Sequence, residues 1–262
     1  MRKILLLDAD SLIYICSVKE TLTECIAEFD YRFNKIIEYT KATEYVGYIT
    51  HNNCFRYQVS LSYKANRKSS EAPKWLKALK EYAISQYGFR GHHGLEADDL
   101  VGLAKTYYNN LNIDNVIGAI DKDVLKQIPG THFNYRFDKD TEDFVGEIVT
   151  SEDEALRFLF TQAIIGDSVD GIKGALGIGI AKATKYLDVQ QCESFEDYTN
   201  SSISLYEKVY KNQIHALKYF VETFRLVYIL RTQMDYEYEM NNPLLTNDIF
   251  DSYDTSTKIE NW

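Results

Sequence analysis

The sequence has neither a paired-cysteine motif nor a long hydrophobic run. Its four cysteines show no CxxC spacing and no accompanying histidine pattern, which argues against a zinc site and a disulfide framework. No apolar stretch approaches the roughly 18 residues needed to span a bilayer. Internal repeats and low-complexity tracts are also absent. These absences predict a cytoplasmic protein without a membrane partner. The cysteines are Cys16, Cys25, Cys54 and Cys192.

The charge is unevenly distributed along the chain. A net charge of −10 argues at first against nucleic-acid binding. However, residues 235–262 contain seven acids against Lys258, whereas residues 64–80 contain six basic residues against Glu71. The basic segment is compatible with a nucleic-acid groove and equally with a solvated helix face.

The hydrophobic pattern predicts an α/β fold. With 262 residues and 45% hydrophobic content, the chain can bury a substantial core. Apolar runs at 3–8, 44–50 and 115–120 predict strands, and the helical periodicity between them predicts a mostly parallel sheet flanked by helices. Residues 132–137 and 144–149 predict a hairpin. We expect a single domain, with an α/β core over 1–150, a helical region over 151–232 and an acidic tail over 233–262.

Acidic residues cluster at the ends of these predicted elements. Sites in parallel sheets form beyond the carboxyl ends of the strands, so we expect four acidic groups to converge there. Each group alone is also explained as helix caps or surface charge. Asp167 and Asp170 would share a face if they occupied one helical turn. The groups are Asp8 with Asp10; Glu96, Asp98 and Asp99; Asp121 with Asp123; and Asp167 with Asp170.

Converging carboxylates require compensation by cations. They would otherwise repel and shift one another's pKa values. Oxygen ligands suit Mg²⁺ or Mn²⁺, and two such ions about 4 Å apart form a clamp for attack on a phosphodiester. The cluster lacks histidine and cysteine, which argues against zinc.

A glycine-rich stretch precedes a helical pattern that resumes at Ile180. Glycine permits positive φ and close approach of another chain. A helix that starts there directs free N–H groups toward an anion, with Lys182 and Lys185 close behind. The alternative is an ordinary turn between helices. The glycines are Gly171, Gly174, Gly177 and Gly179.

Five motifs occur in a characteristic order: LLLDAD (5–10), FR with YKANR (55–67), GLEADDLVG (94–102), DKD (121–123) and GDSVDGIKGALGIG (166–179). Together they resemble the flap endonuclease and 5′-to-3′ exonuclease family, which includes the 5′-nuclease domain of bacterial DNA polymerase I and stand-alone phage enzymes. The resemblance implies a PIN-like core and a metal-dependent, structure-selective 5′ nuclease. Its substrates would be 5′ flaps or 5′ ends of DNA, with RNA primers on DNA included.

The resemblance also implies roles for individual residues. Lys64 and Arg67 would contact the scissile phosphate from the base of a short arch near residues 57–74. A helix-three-turn-helix with a K⁺ ion would grip branched or 5′-ended duplex DNA, or an RNA–DNA hybrid, and the protein would act as a monomer. Two Mg²⁺ ions, for which Mn²⁺ substitutes, would be held by Asp8, Glu96, Asp98, Asp99, Asp121, Asp123, Asp167 and Asp170. The DNA contacts would be Tyr63, Gly174, Gly177, Gly179, Lys182 and Lys185.

The sequence departs from the family pattern in three places. Thr50 and His51 stand where an acid often follows the second strand, Ala181 stands where a lysine is usual, and the arch segment is short. Two other functions remain open. A PIN-like ribonuclease is disfavoured by the glycine-rich duplex-binding motif. A non-catalytic DNA-binding relative would be expected to lack the acids or Lys64, and both are present.

Overall fold

A five-stranded sheet forms the centre of the α/β region in the computed structural model, which describes residues 2–51, 53–66 and 71–241. The strand order is β2-β1-β3-β4-β5; the first four strands are parallel, and β5 is antiparallel to β4. This mostly parallel sheet with flanking helices confirms the predicted fold class. The strands are β1 (Lys3–Asp8), β2 (Glu44–Tyr48), β3 (Asp114–Ala119), β4 (Gly130–Asp138) and β5 (Asp143–Thr150).

Strand β1 is buried on both faces, as its continuous apolar sequence predicts. Successive strand residues point to opposite faces, so Ile4 and Leu6 join one hydrophobic cluster while Leu5 and Leu7 join the other. The helices that cover these faces are α1 (Asp10–Cys16), α2 (Leu22–Thr40), α3 (Arg56–Val59), α4 (Leu76–Tyr87), α5 (Ala97–Asn110) and α6 (Lys122–Gln127).

The second half of the chain is mostly helical, and its helices α7 and α10 pack against α6 and α3. Ser151 opens α7 with a capping box that includes Glu154, as predicted. Along the described ranges, no helix has the length and apolar content to cross a membrane. The elements are α7 (Glu152–Ile165), β6 (Gly166–Asp167), β7 (Ile172–Lys173), α8 (Ile180–Gln190), α9 (Phe195–Tyr210), α10 (Gln213–Val227) and α11 (Gln233–Asn241).

Two local features of this helical half are not evident from hydrophobic periodicity. The helical stretch after Phe195 is broken where Lys211 adopts φ 52° and Asn212 caps α10 by accepting from the His215 N–H at 3.0 Å. The first part of the expected acidic tail forms α11, whose Glu239 makes a buried ion pair with Arg225 at 2.6 Å. Residues 242–262 lie outside the described ranges.

Candidate active site

Acidic residues from separate elements line one small cavity at the carboxyl edge of the sheet. Its volume is about 20 Å³, and its walls include Asp98 of α5, Asp123 of α6, and Asp167 and Asp170 of the β6–β7 hairpin. Asp8 ends β1, which pairs in parallel with β3. Three of the four predicted acidic groups therefore meet at this cavity, and the first reaches the same edge of the sheet.

The acids are close enough to perturb one another. Burial raises the pKa of Asp8 well above its usual range, and the carboxylates of Asp10 and Asp121 raise it further. Burial and Asp99 likewise raise the pKa of Asp98. Burial and Asp121 raise the pKa of Asp123 to about 6. Burial is the largest cause of each shift, and the neighbouring carboxylates add to it, so a cation bound beside these acids would be stabilised.

Helix α6 fixes two of these carboxylates. Asp121 is the N-cap of α6 and accepts a hydrogen bond from the Asp123 N–H at 2.8 Å. The Asp123 Oδ1 atom accepts from Gln162 Nε2 of α7, also at 2.8 Å. Asp121 therefore caps a helix and also lies at the acidic edge. The helix-cap and metal-site interpretations of this acid are thus compatible.

Asp167 and Asp170 do not occupy one helical turn. Asp167 ends β6, and residues 168–171 form the turn of a hairpin that returns through β7. Asp167 Oδ1 accepts from the Val169 N–H at 2.8 Å, which tightens this turn. Gly171, at φ 72°, completes the turn. The hairpin nevertheless directs both carboxylates to the cavity.

Lys64 lies beside Asp170, one of the cavity residues, and has an unusual backbone conformation. Its φ is 51°, and its N–H donates to the Asp170 carbonyl at 2.7 Å. Its Nζ donates to Glu96 Oε1 and lies 4.0 Å from Asp170 Oδ2. Burial lowers the pKa of Lys64, but Glu96 raises it above its usual value. Burial raises the pKa of Glu96, but Arg56 and Lys64 lower it to about 2.

Asp99 does not fit the ligand role that the resemblance implied. Its side chain is fully buried, and Arg56 binds both of its oxygens, at 2.7 and 2.8 Å. It also accepts from the N–H groups of Glu96 and Leu230. Because the Asp99 side chain is 0% exposed and both of its oxygens bind one guanidinium, whereas Glu96 is 10% exposed, we propose that Asp99 supports the site structurally.

Arg56 is the functional neighbour that sequence reasoning missed. It belongs to the FR motif, but a single arginine gave no indication of its partner. Its guanidinium contacts Glu96 as well as Asp99 and is 3% exposed. Burial lowers the pKa of Arg56, but Asp99 raises it well above its usual value. Arg56 therefore stays charged and holds the start of α5 in place.

Tyr63 and Gly174, which the resemblance assigned to DNA, both have close contacts within the protein. Tyr63 is 3% exposed, and its hydroxyl donates to Glu96 Oε2 at 2.6 Å. A Cβ on Gly174 would lie 2.2 Å from the Ile165 carbonyl carbon, so this glycine is required by internal packing. Tyr63 lines the acidic cavity, and Gly174 allows close packing against the end of α7.

Lys122, the central residue of the DKD motif, is a second cation at the site. Its Nζ lies 3.0 Å from Asp167 Oδ2 and 3.9 Å from Asp123 Oδ1. Burial lowers the pKa of Lys122, but its hydrogen bond to Asp167 raises it above its usual value. The signal in the sequence was its position between two candidate ligands.

Thr50 stands where the family often has an acid. It binds Asp10 and the start of α5. Its N–H donates to Asp10 Oδ2 at 3.0 Å, and its hydroxyl accepts from the Ala97 N–H at the start of α5, also at 3.0 Å. Lys80 Nζ lies 3.3 Å from Asp10 Oδ1. Asp10 is thus tied to the end of β2 and to α4.

The glycine-rich stretch forms an exposed helix start. Helix α8 begins after Gly179, as predicted, and Gly177 has φ 73°. A Cβ at either glycine would meet open space. Lys182 and Lys185 are exposed, and Lys182 Nζ donates to the Gly177 carbonyl at 3.1 Å. The surface around this helix start is therefore open to a large partner.

The base of the expected arch contacts the acidic hairpin. Asn66 Nδ2 donates to the carbonyls of Ser168 and Val169 at 3.2 and 3.0 Å. Arg67, the second residue expected at the scissile phosphate, lies outside the described ranges, as do residues 68–70 of the arch segment.

The chemistry of the donor set fits a hard divalent cation. The acidic side chains that line the cavity are all carboxylates, which suit Mg²⁺ or Mn²⁺. Within the part of the chain that the structure describes, no group of three or more His, Cys, Asp or Glu side chains is already arranged to hold a metal ion. The Lys64 and Lys122 ammonium groups lie against these carboxylates, so a cation would compete with them for the same oxygens.

Comparisons with known proteins agree with this geometry. No protein-family model matches the chain. A 5′-3′ exonuclease of Mycoplasmopsis pulmonis is 29% identical over 183 residues, which cover 65% of this chain and 59% of that relative. DNA polymerase I of Caldicellulosiruptor bescii is 31% identical over 141 residues, which cover 48% of this chain and 16% of that protein. The matched region thus spans less than two thirds of either relative.

Solved structures share the fold. A flap endonuclease of bacteriophage T5, determined as a complex with DNA and metal ions, has a TM-score of 0.64 at 15% identity, with 95% of this chain and 96% of that chain covered. The catalytic core of Rad2 in complex with DNA substrate has a TM-score of 0.52 at 15% identity, with 92% and 80% covered. The fold is therefore that of the PIN-like 5′ nucleases. Motif order, sequence similarity and fold together confirm the resemblance of this chain to the flap endonuclease and 5′-to-3′ exonuclease family.

Proposed function

We propose that this chain is a divalent-metal-dependent, structure-selective 5′ nuclease that hydrolyses phosphodiesters at 5′ flaps or 5′ ends of DNA, including RNA primers on DNA. The observation that carries the proposal is the cavity lined by Asp98, Asp123, Asp167 and Asp170, with Lys64 at its edge. Carboxylates that raise one another's pKa are suited to hold cations, and phosphodiester hydrolysis is a reaction that such cations promote.

The residues that would hold two Mg²⁺ ions, for which Mn²⁺ substitutes, come from every element at the acidic edge. When bound, such ions neutralise the charge that develops on the phosphate and lower the pKa of water. The proposed ligands are Asp8, Glu96, Asp98, Asp121, Asp123, Asp167 and Asp170.

Two further parts of the chain would act on the substrate itself. The Lys64 ammonium, placed between Glu96 and Asp170, is suited to interact with the scissile phosphate, and Arg67 retains the same role by resemblance. The exposed start of α8, with Lys182 and Lys185, would bind duplex backbone together with a K⁺ ion. A monomer contains all of these parts.

The test is cleavage of a labelled 5′-flap duplex with Mg²⁺ and with EDTA, beside labelled single-stranded RNA of the same sequence as the flap. We expect Mg²⁺-dependent cuts near the flap junction, with little cleavage of the RNA. Preferential cleavage of the single-stranded RNA would instead indicate a PIN-like ribonuclease. Tight flap binding without cleavage in Mg²⁺ or Mn²⁺ would indicate a non-catalytic relative.

A further inference from the structure

The end of α10 contacts both sides of the acidic cavity. We call residues 226–230 the α10 exit segment; they comprise the last two residues of α10 and the three residues that follow. The last carbonyls of a helix have no partner within the helix, so other groups must satisfy them. Here the partners are side chains that also contact the acidic site.

Even-numbered residues of the exit segment bind Arg56 and Asp99, on one side of the cavity. The carbonyls of Leu226 and Tyr228 accept from Arg56 at 3.0 and 2.7 Å, and the Leu230 N–H donates to Asp99 at 3.1 Å. These contacts hold the guanidinium that compensates Asp99 and Glu96.

Odd-numbered residues of the segment bind Gln127, on the opposite side of the cavity. This side chain is fully buried; its Nε2 donates to the Val227 carbonyl at 2.7 Å, and its Oε1 accepts from the Ile229 N–H at 3.2 Å. Nε2 also donates to Gln162 Oε1 at 2.8 Å. Gln162, 5% exposed, in turn donates from Nε2 to Asp123 Oδ1 at 2.8 Å.

The backbone fixes the direction of this chain of hydrogen bonds. A carbonyl can only accept and an N–H can only donate, so Val227 and Ile229 allow one orientation of the Gln127 amide. The NH₂ group of Gln127 then faces Gln162, which must present its oxygen to Gln127 and its own NH₂ group to Asp123. An ionised carboxylate accepts only, so every group in the chain is matched.

We propose that Gln127 and Gln162 are positioning residues that hold the Asp123 carboxylate in place for a divalent cation, in a direction set by the α10 exit segment. This inference rests on the proposed metal-dependent function. Partners that orient a metal ligand typically contribute 10- to 100-fold in metal affinity or activity. Gln127 does not touch Asp123, so its substitution would act on the carboxylate through Gln162 or through the α10 exit segment, whose Val227 and Ile229 line the same cavity.

The test uses Gln162→Leu, which removes the donor to Asp123, and Gln127→Met, which is similar in size and has no N–H to donate to Gln162. The control is Thr40→Val, which removes a buried 2.7 Å hydrogen bond to Ile36 in α2, away from the site. Calorimetric titration with MnCl₂, without DNA, measures metal binding directly. Urea unfolding without metal measures the loss of stability.

We expect the Kd for Mn²⁺ to rise about tenfold in both glutamine variants and to stay unchanged in Thr40→Val. Flap cleavage should recover at high Mg²⁺ concentration, because the affected property is metal affinity. Unchanged Mn²⁺ binding in both folded variants, with wild-type protein that binds Mn²⁺ and cuts flaps, would overturn this inference alone. Wild-type protein that neither binds Mn²⁺ nor cuts flaps would overturn it together with the proposed function.

Discussion

The two sides of the acidic cavity are neutralised in different ways. On one side, Arg56 and Asp99 are 3% and 0% exposed, and backbone groups complete their hydrogen bonding. On the other side, Lys122 lies 3.0 Å from Asp167 but is 56% exposed. Removal of one member of a buried ion pair strongly destabilises the protein, whereas an exposed ammonium can be replaced by another cation with little change in stability. We therefore expect the Arg56 side to be needed for folding and the Lys122 side to be able to exchange its ammonium for a metal cation.

The largest expected effect is on catalysis, from a neutral substitution at the edge of the cavity. Asp8→Asn should lower the single-turnover rate of flap cleavage at saturating Mg²⁺ by at least about 10³-fold, because a proposed metal ligand is lost. The metal-free protein should be as stable as wild type or more so, because burial and neighbouring carboxylates already oppose the charge on Asp8. Unfolding in urea checks the second expectation. Near-normal turnover in Mg²⁺ would contradict the metal assignment.

The second prediction compares the two sides directly through folding stability. Arg56→Met should destabilise the metal-free protein by about 3–5 kcal/mol, because Asp99 would remain as an unpaired buried charge. Lys122→Met removes an ammonium that is 56% exposed and should change stability by less than about 1 kcal/mol. Urea unfolding of the two variants measures the difference. Equal losses would remove the distinction between a structural side and a chemical side.

The sequence predicted the acidic edge because its evidence is local. Runs such as residues 3–8 are apolar and end in an acid, which predicts both a buried strand and the position of its last side chain. The start of α8 was equally readable from Gly177, Gly179 and the helical pattern after them. Such features depend on a few consecutive residues, so no tertiary contact is needed to recognise them.

Which acids are buried and paired, and which line the cavity, could not be predicted from local sequence. Arg56 and Asp99 are 43 residues apart, and the Leu230 N–H that also binds Asp99 is 131 residues from it. Within EADD, nothing local distinguishes the buried Asp99 from Asp98 at the cavity. The spacing of Asp167 and Asp170 was similarly ambiguous, because residues three apart can approach each other across a hairpin turn as well as on a helix.

The third prediction concerns Lys64 and has a smaller expected effect. A lysine that meets charge developing in the transition state should influence the saturated rate, whereas a lysine in a diffuse basic patch should influence affinity and salt dependence. Lys68 has the same charge four residues further on and does not match the motif. We expect Lys64→Ala to reduce the saturated single-turnover rate at least about tenfold more than Lys68→Ala. Equal defects that additional DNA corrects would assign Lys64 to the patch.

The smallest effect is expected at the start of α8, which contains two glycines. One has a positive φ, and the other precedes the N–H groups that would bind a phosphate. Gly179 has φ −98°, and a Cβ there would meet open space. Gly177, at φ 73°, is the strained position. Gly177→Ala should therefore destabilise the protein by about 1 kcal/mol, and Gly179→Ala should leave stability unchanged.

DNA binding by the same two variants tests whether this helix start contacts the duplex. If a phosphate approaches the α8 N–H groups closely, Gly179→Ala should weaken binding of a long duplex arm a few-fold without any loss of stability. Cleavage of short single-stranded substrates should be spared, because the acidic cavity is unaltered. Duplex affinity and urea unfolding, measured on the two variants side by side, provide the check. Unchanged duplex binding by stable Gly179→Ala protein would place the duplex elsewhere and confine the nucleic-acid contacts to the acidic cavity and the Lys64 segment.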